Sequence, residues 1–464
     1  MKILETNSQT PDKNFVYKPT RRRFLHGMGL ACVAPFLPSF LPEGFAAVDE
    51  TGVIPPHDIR FTTRNGRDPG HCVVMLFMQG GLSWEDTFDR KPDSPFREIN
   101  IPDTGIKISE LLRPLAGHMR DAIVINNLYG GNGFHDFGAA LSVTGSGRVR
   151  NNFFYAEALN PNPFVEFSRM LTDGPGNNVG YVVLHQSSPD TNGFNRAWNK
   201  PWDALKPNAP ETVYSAIDLR TGEFTDPMVN DGNFDRNRHR NRMNLLEVLD
   251  RQGHTLTGPS VEKATRAYRA ANNILGSELQ TSYNLREETP ETLARYGNTK
   301  SGKQMLLARR MLQRGVRFVI ANHGNNDLHY GLREDMPGLM GPFAQALNAL
   351  LDDIKRMRDK KISVVIVSEF GRAPRFNHGG MVNRGGQAVY VTPGRDHWTN
   401  AYSMVVFGND IRGGRTIGRN RNGNIIGNEN HASVIGETIL ELLKVGRFET
   451  RTGNRFPYID LNRA

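Results

Sequence analysis

The strongest constraint on this chain is a set of short apolar runs with almost no polar alternation. Residues 71–79 (HCVVMLFMQ), 316–321 (VRFVIA) and 361–368 (KISVVIVS) are the clearest. A strand with one wet face alternates apolar and polar residues; a strand covered on both faces does not. Residues 122–125, 181–184 and 402–407 read as further strands. Helical patterns lie between them. Residues 241–251 and 261–285 are amphipathic, and 302–313 (GKQMLLARRMLQ) leads into the strand at 316. Phe343, Leu347, Leu350, Leu351, Ile354 and Met357 form one apolar helix stripe. A last helix is expected over 432–443. Strands alternating with helices predict an α/β domain: a mainly parallel central sheet with helices on both faces. A chain of 464 residues accommodates one such domain, read here as 71–464. Within it, 186–237 is rich in Asn, Pro, Asp and Gly and reads as an irregular insertion.

The region before that domain has a different character. Thr20-Arg21-Arg22-Arg23-Phe24-Leu25 precedes an apolar stretch from Met28 to Leu41, and small residues follow at Gly44, Ala46 and Ala47. This is the order of charged, apolar and cleavage regions in a signal peptide, and the paired arginines resemble the twin-arginine motif. Residues 1–46 are therefore expected to be a twin-arginine signal peptide, with the twin-arginine export machinery as a partner. Residues 47–70 read as a loose N-terminal arm, and the working protein is expected to be periplasmic or secreted. The apolar stretch is broken by Pro35 and Pro38 and falls short of the ~20 residues of a spanning helix, so no stable membrane span is expected. Of the two cysteines, only Cys72 lies beyond residue 46, which excludes an internal disulfide in the processed chain. The formal net charge is +9, with no nucleic-acid motif. That excess either favours an anionic small-molecule or glycan ester ligand or serves solubility alone, and the lack of a motif argues against nucleic acid. Arg236, Arg238, Arg240 and Arg242 alternate around His239 and read as a solvated helix face.

In open α/β sheets, ligands bind beyond the carboxyl ends of the strands. Polar clusters follow these strands: 322–329 (NHGNNDLH), 368–372 (SEFGR), 80–86 (GGLSWED) and, after 122–125, 133–136 (GFHD). The loop 394–398 (GRDHW) precedes the strand at 402. Asp327, His329, Glu369 and His397 are the residue types that ligate a divalent metal, with zinc, manganese and calcium as candidates. Asp327 and His329 are separated by one residue, which on an extended segment turns both side chains the same way. Arg372 and Arg395 stand beside these residues. They are candidates to clamp a phosphate or sulfate oxygen; the alternative is a structural salt bridge to Asp396 or Glu369. Gly80-Gly81 either brings backbone N–H groups to an anion or permits a tight turn.

Six segments carry a resemblance: GGLSWEDTFDRKPD (80–93), FHDFGAALSVTG (134–145), LLARRMLQRGVRFV (306–319), NNDLH (325–329), VVIVSEFGRAP (364–374) and GRDHWTNAYSMVVFGNDIRGG (394–414). They are similar to the family catalogued as domain of unknown function 1501, whose members resemble the alkaline phosphatase and sulfatase superfamily. The resemblance implies that superfamily's sheet and two metal-ligand sets. It implies ligand roles for Asp327 and His329, for Glu369 where relatives have Asp, for His397, and for Asp86, with Ser83 as the rival of Asp86. The superfamily's Ser, Thr or Cys nucleophile begins a helix ending in Thr-Gly. Here that helix ends at Thr144-Gly145 and the equivalent position is His135. His135 is thereby a nucleophile, a metal ligand, or a bystander to a metal-activated water. Relatives also carry an acid where this chain reads Gly418-Arg419-Asn420-Arg421-Asn422-Gly423. The expected function is a metal-dependent hydrolase of phosphate or sulfate esters; the alternative is a non-catalytic binding or assembly protein on the same scaffold.

Overall fold

The central sheet contains nine strands among the described residues: β1 (His71–Met78), β2 (Ala122–Tyr129), β3 (Val182–His185), β4 (Val213–Ala216), β5 (Phe318–His323), β6 (Lys361–Val367), β7 (Tyr402–Gly408), β8 (Arg415–Ile417) and β9 (Asn430–His431). The computed structural model describes residues 59–63, 70–131, 133–144, 148–149, 156–157, 182–185, 213–216, 241, 278–408, 410–450 and 455–462. The expected signal peptide, most of the N-terminal arm, most of the stretch 186–237, the Arg236–Arg242 patch and nearly all of the amphipathic stretches before 278 lie outside these residues.

The strand order is β8-β2-β7-β6-β1-β5-β3-β4, with β9 also pairing β2. β4, β3, β5, β1 and β6 are mutually parallel. β7 is antiparallel to β6 on one side and to β2 on the other. It alone runs against the rest, so the sheet is mainly parallel. Every residue of β1 and β5 is buried, as is β6 after Lys361. Neighbouring residues of a strand point to opposite faces, so this pattern requires cover on both.

Five α-helices among the described residues supply cover: α1 (His135–Thr144), α2 (Pro290–Tyr296), α3 (Lys300–Gln313), α4 (Leu332–Arg356) and α5 (Val434–Leu443). α3 packs on β5 and on α4, and α2 packs on both helices. α5 packs on β1 and on α1. Local chemistry starts these helices where it should. Thr289 caps α2, accepting from the Thr292 N–H, with Pro290 in the first turn; Thr299 caps α3, accepting from the Gly302 N–H. In α4, Phe343, Leu347 and Leu350 are fully buried. Each contributes roughly 1.5–3 kcal/mol by leaving water, and Leu347→Ala at this seam costs about 2–5 kcal/mol.

Four details differ from the pattern expected. Ile59–Thr63, within the stretch read as a loose arm, is a strand that pairs antiparallel with Gly446–Thr450. β4 lies inside the stretch read as irregular, because a four-residue edge strand leaves little periodicity to detect. β2 runs on to Tyr129 through Asn126 and Asn127, which the sheet buries despite their polarity. The described end of 261–285 is a 3-10 turn, Glu278–Tyr283. No helix among the described residues is long and apolar enough to cross a membrane.

Candidate metal centre

Three parallel strands, β1, β5 and β6, end at one edge of the sheet, and the turns that follow carry Gly80, Asp327 and Glu369. β7 enters from that same edge because it is antiparallel, so the loop before it brings Arg395, Asp396 and His397 there as well. β2 also ends there, and α1 then begins with His135. Pairing of Gly371–Arg372 with His397–Trp398 fixes the late loop to the end of β6.

The strand ends are stapled together. Gly80 has φ +113°, and a Cβ there would lie 2.4 Å from the Asp327 backbone nitrogen. Its N–H donates to Glu369 Oε1 at 2.6 Å. The glycine thus allows a close approach and serves an internal carboxylate. Asn325 takes the left-handed conformation at φ 71°, which Asn tolerates. Asn326 then donates its backbone N–H to Gln79 O at 3.1 Å and its side-chain amide to Gln79 O and His323 O, at 3.1 and 2.9 Å. Asp327 is left beside the end of β1.

Asp327 is the hub. Its Oδ2 lies 3.3 Å from His135 Nε2, and its Oδ1 lies 3.2 Å from Nε2 of both His329 and His397. The Nε2 atoms of His329 and His397 are 3.0 Å apart. The other nitrogen of each ring is tied down. His135 Nδ1 meets Glu369 Oε1 at 2.8 Å, His329 Nδ1 meets Asp396 Oδ1 at 2.7 Å, and His397 Nδ1 meets the Gly133 carbonyl at 2.7 Å. All three partners are acceptors, so they assign the ring proton to Nδ1 and turn each Nε2 lone pair toward Asp327. Lone pairs and a carboxylate oxygen facing one another at 3 Å repel unless a proton or a cation sits among them. One atom each of His135, Asp327 and His397 lie within 4.8 Å of one another, the spacing that ligands of a single ion need. By this test the donor set fits a divalent metal.

The same contacts set the electrostatics of the cluster. Burial would raise the Asp327 pKa, but hydrogen bonds to His135, His329 and His397 and the Arg372 charge outweigh it, holding the carboxyl far below its usual range. Burial would lower that of His135, yet bonds to Asp327 and Glu369 prevail and raise it to about 9. The Asp327 bond also raises His329, against burial. These contacts favour the protonated forms of His135 and His329. Glu369 is fully buried, and its Oε2 has no hydrogen-bond partner among the described residues. Phe370, also fully buried, stacks on His135 and His397 with ring centroids 5.1 and 4.4 Å away and gives the cluster an apolar floor.

The structure thus brings together His135, Asp327, His329, Glu369 and His397. It places Asp86, Arg372 and Arg395 differently from the roles expected of them. Arg372 is 1% exposed and spends its N–H groups on the carbonyls of Gly80, Gly81 and Arg395 and on Asp327 Oδ1. Arg395 is fully buried and donates to Asp86 Oδ2 at 2.8 Å, Asp93 Oδ2 at 3.0 Å and Pro374 O at 2.6 Å, with the Phe376 ring over its guanidinium. Neither is presented to a substrate oxyanion; each is a structural anchor, and its ion-pair partners are Asp327 or Asp86 and Asp93, not Asp396 or Glu369. Asp86, fully buried, gives both oxygens to Arg395 and accepts from Ser83 Oγ at 2.5 Å, so this trio stands apart from the histidines. Sequence reasoning missed Asp396 and the Gly133 carbonyl as the groups that orient His329 and His397. The Asp396-His397 dipeptide was the available signal: adjacent residues on extended chain point opposite ways, so each serves a different neighbour.

Comparison with known proteins gives three findings. Among solved structures, the chain is similar to an alkaline phosphatase from the Antarctic bacterium TAB5 (12% identity, 80% of this chain and 98% of that one, TM-score 0.35) and to the lipoteichoic acid synthase LtaP from Listeria monocytogenes (11%, 86% and 79%, TM-score 0.34). It is also similar to a phosphonate monoester hydrolase from Silicibacter pomeroyi (10%, 81% and 73%, TM-score 0.31). No protein of curated function matches the sequence. The family model described as "Protein of unknown function (DUF1501)" matches residues 71–445, which takes in every strand from β1 to β9 and the whole histidine cluster, and the chain therefore belongs to that family.

Proposed function

We propose that this protein is an exported, metal-dependent hydrolase of phosphate or sulfate esters. One observation carries the reading: three histidines with Nδ1 tied to acceptors turn Nε2 onto a single carboxylate. Asp327, His397 and His135 would hold the ion, with His329 beside them. Imidazoles with a carboxylate suit zinc or manganese better than calcium, which prefers an all-oxygen shell. A bound divalent ion supplies a Lewis acid for an ester oxygen and lowers the pKa of a coordinated water. Glu369, Asp396 and the Gly133 carbonyl keep the three rings oriented with Nε2 facing Asp327. Arg372 holds Asp327 in place. The side chains of Asp327, His135, His329 and His397 are between 20% and 34% exposed, so solvent and substrate reach them. His135 starts α1 where the superfamily has a hydroxyl or thiol; because its Nε2 faces Asp327, we assign it to the ligand shell. The motif resemblance supports the same chemistry, and the signal-like start of the chain supports export.

The non-catalytic reading is favoured by one observation, the engagement of both Arg372 and Arg395 inside the protein. Metal content and turnover separate the two. Elemental mass spectrometry is expected to find about one zinc or manganese per chain, lost in Asp327→Ala/His397→Ala. Hydrolysis of p-nitrophenyl phosphate or sulfate falls with it by on the order of 10²–10³-fold. A folded wild-type protein that retains neither ion after reloading refutes the hydrolase.

A further inference from the structure

Exposed apolar side chains are unevenly spread. Of the eight large ones among the described residues, Phe134, Tyr330, Phe376, Met381, Val389 and Tyr390 belong to segments at the rim of the metal centre. Phe134 precedes His135, and Tyr330 follows His329. The other four lie in the excursion between Arg372 and Arg395, most of which is a hairpin, Gly380–Arg384 against Gln387–Val391. The feet of this hairpin are pinned beside the site. Asn377 N donates to Gly394 O at 3.0 Å, Gly394 N donates to Asn377 Oδ1 at 3.1 Å, and Asn377 Nδ2 donates to His329 O at 2.5 Å. Tyr330 bridges to Pro393, and a Cβ on Gly380 would come within 3.1 Å of its ring. Met381 and Tyr390 are cross-strand partners, each 63% exposed, and the Tyr390 hydroxyl donates to His378 O at 3.2 Å.

A grouping of exposed apolar side chains marks a binding surface. Residues 375–391 also include Arg375 and His378 and no acid, so the surface favours an anionic partner. The hairpin tip, 383–387 (NRGGQ), is polar, whereas Met381 and Tyr390 sit nearer the base. That arrangement suits a chain lying sideways into the metal centre better than a tip inserted into lipid. We propose that the hairpin is a platform for a phosphorylated or sulfated oligosaccharide, whose sugar rings rest on Tyr390 and Met381 while one ester group reaches the metal centre. This deepens the hydrolase reading and rests on it.

Calorimetric titration of the zinc-reloaded protein with dextran sulfate oligosaccharides tests the platform, with unsulfated dextran of equal length as control. Dextran sulfate is expected to bind, and dextran at least about tenfold more weakly. Tyr390→Ala/Met381→Ala is expected to weaken dextran sulfate binding about tenfold, and Tyr390→Phe to keep it. Both side chains are exposed, and an unchanged melting temperature confirms that the double variant folds. Equal affinity in the wild type and the double variant overturns the proposal. So does capture by anionic phospholipid vesicles that the double variant abolishes, with no glycan binding. Failure of the hydrolase reading shows elsewhere, as absent metal and no turnover of p-nitrophenyl phosphate or sulfate in the wild type, while dextran sulfate binding is still read directly.

Discussion

Two polar clusters at the same edge of the sheet differ in how their charges are balanced. Around Arg395, one guanidinium meets Asp86 and Asp93, Ser83 donates to Asp86, and the group is closed. Around Asp327, three imidazole nitrogens and a carboxylate converge, and every other nitrogen of those rings is committed to an acceptor. The first cluster is complete within the chain; in the second, Arg372 pairs with Asp327, yet three imidazole Nε2 atoms still converge on that carboxylate, an arrangement that calls for a proton or a cation among them. Conspicuous residues alone do not reveal a site. What does so is the sum of donors and acceptors, which is balanced at Arg395 and open at Asp327.

Breaking the closed cluster should have the largest effect. Arg395→Ala leaves Asp86 buried without a counter-charge and is expected to cost about 3–5 kcal/mol in chemical denaturation. The double change Arg395→Met/Asp86→Leu costs less, because no charge is stranded. A loss below about 1 kcal/mol in Arg395→Ala, the range of a surface pair, would erase the contrast drawn here.

The open cluster should respond to pH in opposite senses with and without metal. The metal-free protein holds the His135 proton to about 9 against an ordinary 6.5. A pKa raised on folding contributes stability that is fully present below the ordinary value and lost as pH rises through the folded one. The metal-free protein therefore loses stability between these two values, with a slope of at most about 1.4 kcal/mol per pH unit. Zinc competes with that proton, so its affinity rises over the same interval. Thermal unfolding with zinc and with chelator, at pH steps from 6 to 9, reads both trends. A metal-free melting temperature flat across the interval removes the proton from its assigned place.

The smallest effect belongs to the groups behind the rings. Asp396→Ala frees His329 Nδ1 and is expected to weaken zinc binding by about 10–100-fold, measured against a competing chelator. Unfolding free energy of the metal-free form at low pH supplies the control. If zinc affinity is unchanged, His329 stands outside the ligand shell.

Much of this architecture was legible in the amino-acid order. β1, β5 and β6 announce themselves because burial on both faces removes alternation, and the clusters after them fall where strand ends converge. Strand direction was not legible. The loop carrying His397 precedes its strand, and in an all-parallel sheet it would lie at the far edge; only the reversal of β7 brings it to Asp327. Nor could the sequence show that Arg372 and Arg395 are spent. Their partners at Gly80, Gly81 and Asp86 are about 300 residues away in the chain, and a guanidinium beside a ligand motif looks the same whether its N–H groups face substrate or backbone. β4 and the hairpin at 380–391 escaped for a simpler reason: β4 has only four residues, and a hairpin strand that is mostly exposed leaves no buried period to follow.

The reversal of β7 has one more consequence. The chain leaves β6 and returns to its immediate neighbour at the same rim, and Asn377 joins Gly394 by two hydrogen bonds before any hairpin residue is counted. The loop is closed at its neck, so the length of what projects beyond is nearly free to vary. Doubling it adds only about 0.6 kcal/mol of closure entropy. The histidine cluster behind that neck can stay constant while the projecting segment is exchanged, much as one handle takes different blades.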